Sequence, residues 1–283
     1  MKNIIAMAAS CTALLFSGCS QMEAPQPEAE AEVEVIDLVI EPDETRVQFA
    51  ATENTAPFQW SSGDQIAVHL SQSSPAKSIY DVVTVTPGSS TNTATYLCST
   101  TSKLQRDRYA IYPADIKDDS NYGNSTLKVQ LPTSYNIVGK ATTWSPVPMI
   151  AQNGPSVNPL VFRQLGGLLR IKCDNVPKNT KTIAVTLNLG VTGTFTVSDA
   201  TSTTPSISAG TSSSSTVTFT ISDNDTGISA AKSGIYLNIP LPKGTYTSAK
   251  VVYKNASGTA TNTYTKTFSV VVDRKTGIKL HCS

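Results

Sequence analysis

The sequence predicts an all-β protein, and three observations carry that expectation. Helical periodicity is almost absent across residues 46–283. Short runs rich in Val, Ile, Thr, Tyr and Phe recur instead, parted by Gly, Pro, Asn, Asp and Ser. Several runs alternate with a period of two. In Thr182-Ile183-Ala184-Val185-Thr186-Leu187, the residues Ile183, Val185 and Leu187 share one face, and Thr182, Ala184 and Thr186 share the other. A sheet with one buried and one wet face is the antiparallel kind, and many such strands make sandwiches.

Before the β body comes an N-terminal segment of another character. Lys2 is followed by an apolar stretch from Ile4 to Phe16, the pattern of a secretory signal over residues 1–18. The stretch is shorter than the roughly 20 residues a permanent spanning helix needs. Leu14-Leu15-Phe16-Ser17-Gly18-Cys19 resembles a bacterial lipobox, with Phe16 a mild departure from the usual Leu. That resemblance implies cleavage before Cys19 and lipidation of its thiol. More than one acyl chain is what stable anchoring requires. The plainer alternative is an ordinary signal peptide with a chance cysteine.

Residues 19–45 read as a tether. Residues 20–45 hold nine acidic side chains, no Lys or Arg, and the prolines Pro25, Pro27 and Pro42. Charge of one sign with few aromatics favours an extended, solvated chain. The acids close behind Cys19 fit loosely an export signal to the outer surface, and equally a linker held open by repulsion. Within the tether, Val35-Ile36-Asp37-Leu38-Val39-Ile40 is apolar enough to be a strand. Lys2 is the one basic residue before position 46, so residues 46–283 carry 21 Lys and Arg against 12 Asp and Glu, a net charge of +9. The cations are scattered, with no stripe interleaved with aromatics, so nucleic acid is not an expected partner.

Through the body the expected strands are Gln65–Leu70, Tyr80–Val85, Thr93–Cys98, Leu127–Leu131, Leu168–Cys173, Thr182–Leu187, Gly193–Val197, Thr216–Ile221, Gly234–Pro240, Ser248–Tyr253, Thr263–Val272 and Gly277–Cys282. Turn chemistry joins them at Ser61-Ser62-Gly63-Asp64, Pro242-Lys243-Gly244 and Asn255-Ala256-Ser257-Gly258. The turn-rich run Asn153–Pro159 lies near the middle, which suggests two sandwich domains, 46–158 and 159–283. Fourteen of residues 201–220 are Ser or Thr, which suggests a long exposed loop in the second.

Four local patterns, in order, resemble the fimbrillin family, the pilus subunits and associated lipoproteins of some anaerobic Gram-negative bacteria. They are Phe58-Gln59-Trp60-Ser61-Ser62-Gly63-Asp64-Gln65-Ile66-Ala67-Val68, Tyr109-Ala110-Ile111-Tyr112-Pro113, Phe162-Arg163-Gln164-Leu165-Gly166-Gly167-Leu168-Leu169-Arg170-Ile171-Lys172, and Tyr236–Pro240 followed by Gly244-Thr245-Tyr246. Each is weak alone, and their order carries the likeness over most of residues 46–283. The competing account is another two-sandwich surface lipoprotein with convergent strand chemistry. The resemblance implies two tandem transthyretin-like β-sandwich domains, a location at the cell outer membrane or in a fimbrium, and assembly by strand exchange. It further implies a cut after an arginine near the first strand, opening a groove that a neighbouring subunit's strand fills. Arg46 stands where such a cut would fall, since Val47-Gln48-Phe49 begins a strand directly after it. A solvated arginine at a strand start is the alternative, and anchor-type members keep their lipid and are not cut.

Nothing in the sequence marks catalysis or a cofactor, so the chain is expected not to be an enzyme. His69 and His281 are the only histidines, and neither has a nucleophile elbow beside it. No Cys-x-x-Cys or His-x-His spacing offers a metal site. Asp223-Asn224-Asp225-Thr226-Gly227 lacks the later glutamate of a calcium loop and reads as an Asx-rich turn. Asp115, Asp118 and Asp119 are the carboxylates that could ligate a cation, and they read first as a solvated loop. Of the cysteines, Cys11 leaves with the signal and Cys19 takes the lipid. Cys98 and Cys173 fall at strand ends as small buried residues, and Cys282 is expected to be an exposed thiol near the free end.

Two functions follow. One is a structural or adhesive pilus subunit, tethered to the membrane by lipid and partnered with copies of itself, other subunits or a host surface protein. The other is a monomeric glycan-binding surface lipoprotein. Trp60 and Trp144 are the only tryptophans. Trp60 adjoins a core strand and reads as core. Trp144, in the loop-like Thr142-Thr143-Trp144-Ser145-Pro146, is the candidate ligand contact under either function.

Overall fold

The computed structural model describes residues 33–40, 60, 63–70, 77–81, 93–99, 106–116, 127–137, 147–152, 159–199, 202–208, 213–222, 228, 230, 231 and 233–283. In 33–40, 69–70, 77–81, 93, 96–99, 106–109, 116 and 152 it describes the backbone alone.

The chain is all-β. Its strands are β1 Val33–Ile40, β2 Gln65–Leu70, β3 Lys77–Asp81, β4 Thr93–Ser99, β5 Arg106–Tyr112, β6 Lys128–Leu131, β7 Ser134–Ile137, β8 Met149–Gln152 and β9 Leu160–Gln164. The second half supplies β10 Gly167–Cys173, β11 Thr182–Leu187, β12 Gly193–Ser198, β13 Ser206–Ile207, β14 Thr216–Ile221, β15 Ile235–Leu241, β16 Gly244–Lys254, β17 Ala260–Val272 and β18 Gly277–Cys282. A 3-10 turn at Ala114–Ile116 follows the cis Tyr112–Pro113 bond.

Four sheets result among the described residues, ordered β3-β2-β5-β8-β9-β1-β4, β15-β10-β18, β17-β16-β11-β14-β7 and β13-β12-β6. Among the described residues, pairing between these strands is antiparallel except for β1 with β9, β10 with β18 and β14 with β7. Each exception follows from a strand entering a sheet far in sequence from its neighbour, so no hairpin sets its direction.

The second-half sandwich shows the alternation expected from its sequence. β10 turns Leu169, Ile171 and Cys173 inward and β11 turns Ile183, Val185 and Leu187 inward. Phe219, Leu237, Ile239, Tyr246, Val251 and Tyr253 fill the space between the five-stranded and three-stranded sheets. In the first half, Trp60 meets Tyr112 and Phe162 edge-on, each at 5.1 Å between ring centroids. With Ile66, Val68, Met149, Ala151 and Leu160 they form a core on one face of the seven-stranded sheet, so Trp60 is core, as its neighbourhood in the sequence suggested. On the opposite face, Ile111 and Ile150 pack against Val129, Leu131, Phe195, Val197 and Ile207 of the β13-β12-β6 sheet.

β6 and β7, which precede residue 158, therefore pair with β12 and β14, which follow it. Ile137 of β7 lies in the second-half core, and Leu168 of β10 lies in the first-half core.

Two sequence expectations are corrected. Cys282 is fully buried, not exposed, because the alternation of β18 continues to its last residue and turns Ile278 and Cys282 inward. It lies opposite Cys173 in the parallel register, and both are free thiols. The Ser/Thr-rich segment is not wholly an exposed loop. Ile207 is buried through β13, and Thr192 bridges Ser214. A lone Ile in a polar run is enough to dock a two-residue strand, which composition averages away.

Candidate functional site

Two places on the described chain combine exposure to exchange or solvent with defined geometry. The first is β1. Val35–Ile40, singled out as an apolar candidate strand, falls within it. β1 lies between β4 and β9 as the second strand from one edge of the seven-stranded sheet. On the β4 side the register runs from Val33 opposite Ser99 to Val39 opposite Thr93. On the β9 side Leu38, Val39 and Ile40 lie opposite Leu160, Val161 and Phe162. Leu160 and Phe162 are fully buried in the first-half core. β1 thus joins β4 to the rest of its sheet. Taking it out would expose two unpaired strand edges and a slot beside the Trp60 cluster.

β1 ends six residues before Arg46 in the chain. Arg46 itself lies outside the described residues, as do Cys19 and Trp144. So do Asp118, Asp119 and the Asp223–Gly227 turn. Asp115 sits exposed in the 3-10 turn. No cluster of three metal-ligating side chains occurs among the described residues.

The second place is the outer face of the β15-β10-β18 sheet. Alternation sends Arg170 and Lys172 of β10 to this face, opposite the buried Leu169, Ile171 and Cys173. Lys279 and His281 of β18 arrive beside them, because Arg170 is paired with Lys279 and Lys172 with His281. On the other side, Asn238 and Tyr236 of β15 are paired with the same two residues. Together Arg170, Lys172, Tyr236, Lys279, Leu280 and His281 line a pocket of about 320 Å³.

The pocket's polar groups are held. Arg170 donates through Nε to Oδ1 of Asn238 at 3.1 Å, and its guanidinium lies 5.9 Å from the centre of the Tyr236 ring, within range for a cation–π contact. Asn238 is fully buried, so its carbonyl is a fixed acceptor. At the far end His281 Nε2 meets Asp174 Oδ2 at 2.5 Å, and Lys172 Nζ lies 3.5 Å from the same oxygen. The Gly234 amide donates to Asp174 Oδ1 at 2.9 Å. These contacts, the His281 bond foremost, hold the Asp174 carboxyl below the usual carboxylate range.

The sequence did not reveal this pocket. Arg170-x-Lys172 and Lys279-x-His281 each show two polar residues at same-face spacing. What brings them together is a parallel pairing between strands about a hundred residues apart, which no local pattern encodes.

No family model matches the chain, and no curated protein matches it. Some solved structures are similar to it at low identity. A Bacteroides ovatus protein provisionally assigned to cell adhesion is 13% identical, over 78% of this chain and 82% of that one, with a TM-score of 0.43. A second, from Bacteroides uniformis and assigned in the same way, is 12% identical over 88% of this chain and all of that one, with a TM-score of 0.41. A third, from Bacteroides thetaiotaomicron, is 11% identical over 79% of each chain, with a TM-score of 0.33.

Proposed function

We propose that the chain is an exported, lipid-anchored surface protein of fimbrillin type that assembles with other subunits by exchanging β1, in an adhesive rather than an enzymatic role. The observation that carries this reading is the placement of β1. It comes from the otherwise acidic tether, yet it fills an inner position of the seven-stranded sheet, just ahead of Arg46. The lipobox-like run ending at Cys19 supports export and anchoring at the outer membrane. Cleavage after Arg46 would cut the covalent link between β1 and the body, leaving β1 held only by its sheet contacts. A strand from a second subunit would then compete for a slot with ready backbone partners on β4 and β9. Such a head-to-tail contact leaves one donor and one slot free at the ends, so it extends into filaments.

Limited trypsin treatment of the mature chain tests this, with the new N-terminus mapped and the products sized by native electrophoresis. Cleavage confined to Arg46, followed by a ladder of higher species, is the expected result. A stable monomer after that cleavage, or resistance at Arg46, overturns the polymerising role.

A further inference from the structure

We propose that the outer face of the β15-β10-β18 sheet is a binding site for an acidic saccharide, a sugar bearing a carboxylate or sulfate group. The inference is independent of strand exchange and of Trp144. It stands on the convergence of Arg170, Lys172, Lys279 and His281 on one pocket on the sheet face, with Asp174 beside it in contact with Lys172 and His281.

Charge selects the class of ligand. Three permanent cations converge on the pocket from two strands. An anionic group entering it meets a fixed positive field in a concave site, where attraction is stronger than on an open surface. Arg170 is positioned before any ligand arrives, by the buried Asn238 carbonyl on one side and the Tyr236 ring on the other. A pre-set guanidinium gives up little side-chain entropy on binding and presents a planar donor array that matches carboxylate or sulfate.

The carboxylate of Asp174 narrows the class further. A pocket meant for a bare anion gains nothing from a carboxylate beside it. A sugar acid offers hydroxyl donors as well as an anionic group, and it can use both kinds of partner. Asp174 is bonded by His281 and Gly234 and lies in ion-pair range of Lys172, while a carboxylate has about four lone-pair sites, so a further hydroxyl fits its capacity. The wall also carries Leu280 and the Tyr236 ring, apolar surface suited to the C–H faces of a sugar. A pocket of about 320 Å³ lies at the small end of ligand sites. That suits one or two rings of a longer chain, and half-exposed His281 keeps the mouth open to the rest.

Calorimetric titration of the mature chain at low and at physiological salt tests the site. The probes are a heparin-derived oligosaccharide, an oligogalacturonate, neutral maltohexaose, inorganic sulfate and vesicles containing phosphatidylglycerol. At least one acidic oligosaccharide is expected to bind, more weakly as salt rises. Affinity should fall tenfold or more in Lys172→Gln and, separately, in Lys279→Gln. Lys250→Gln, an exposed lysine on the other sheet of the sandwich, should bind as wild type. Melting curves establish that each variant folds, and having two single variants keeps the test decisive should one fail to. Absence of binding to both acidic oligosaccharides overturns the proposal, as does equal loss in Lys250→Gln. Maltohexaose, sulfate alone or vesicles binding as tightly as the acidic oligosaccharides would overturn the saccharide assignment.

Discussion

At the scale of single residues, burial decides both chemistry and stability. Desolvation pushes the Cys173 thiol up to about 12, and it raises Cys282 opposite it as well. Tyr112, Tyr246 and Tyr253 are shifted upward for the same leading reason. A thiol reacts as its thiolate, so neither Cys173 nor Cys282 should be modified by a disulfide reagent at pH 8 in the folded protein. Both should be modified in denaturant, as mass mapping of labelled peptides would show. The sign of the pH effect follows from the same shift. The folded protein holds these protons more tightly than the unfolded chain, so their contribution to stability is complete below the unfolded value near 9. It is lost as pH rises from there toward 12, and the melting temperature should fall across that window. Trp60 makes a second prediction. It is fully buried and packed edge-on against Tyr112 and Phe162, so Trp60→Ala should cost about 3–5 kcal/mol in denaturant unfolding. That Trp60 is core was legible, because Trp60 stands next to a turn and an alternating strand. The burial of Cys282 was not, because its place is set by the parallel pairing of β18 to β10, about a hundred residues away, which no local pattern encodes.

At the scale of elements, strand alternation was legible wherever one face was wet. β2, β11, β14 and β18 occur at their expected limits, and β16 and β17 extend beyond theirs. β8 and β9 were not legible, because each is short and inner to its sheet and β9 has no fully exposed position to mark a wet face. The paired β8 and β9 are inner strands of their sheet, buried through Met149, Ile150, Ala151, Leu160 and Phe162. β7 and β13 were missed because each is only a few residues long and owes its existence to a distant partner. Turns separate two uses of glycine. Gly258 closes the β16–β17 hairpin at φ +81, with nothing near the place of a Cβ, so only backbone conformation demands it there. Gly258→Ala should cost about 1 kcal/mol. Gly166, between β9 and β10, and Gly167, which opens β10, have no room at all. A Cβ on Gly166 would overlap the Leu241 carbonyl oxygen, and one on Gly167 would stand 2.5 Å from that of Thr276. Because those obstacles are backbone atoms, Gly166→Ala should destabilise by several-fold more than Gly258→Ala, in parallel denaturant titrations of the two variants.

At the scale of the whole molecule, the halves on either side of residue 158 exchange strands. β6 contributes to a sheet with β12, and β7 extends the sheet of β14. β9, which also follows residue 158, lies in the seven-stranded sheet, and Arg274 in the turn before β18 donates to its Gln164 carbonyl at 3.0 Å. The turn-rich run around residue 155 gave no sign of this, because turn chemistry marks where the chain bends and not which sheet its neighbours join. The third core has members from both halves, with Phe195 and Val197 of β12 packed against Ile111 and Ile150 of the seven-stranded sheet. Separate melting of the two halves would require that core to open while the others stay closed, exposing Phe195 and the side chains around it. The cost of that exposure argues for one cooperative transition of residues 32–283, the single compact unit they form. Phe195 is fully buried at this junction, so Phe195→Ala should remove about 3–5 kcal/mol. The informative readout is where that loss appears. Calorimetry should show one peak, with calorimetric and van't Hoff enthalpies in agreement, moved down in temperature as a whole. Trp60 fluorescence in the first half, read in a Trp144→Phe background, and the release of Cys173 and Cys282 in the second should follow the same displaced curve. A first-half probe that shifts while the second-half thiols stay protected would mean that the halves unfold apart, and the junction would then be a contact between two domains instead of a shared core.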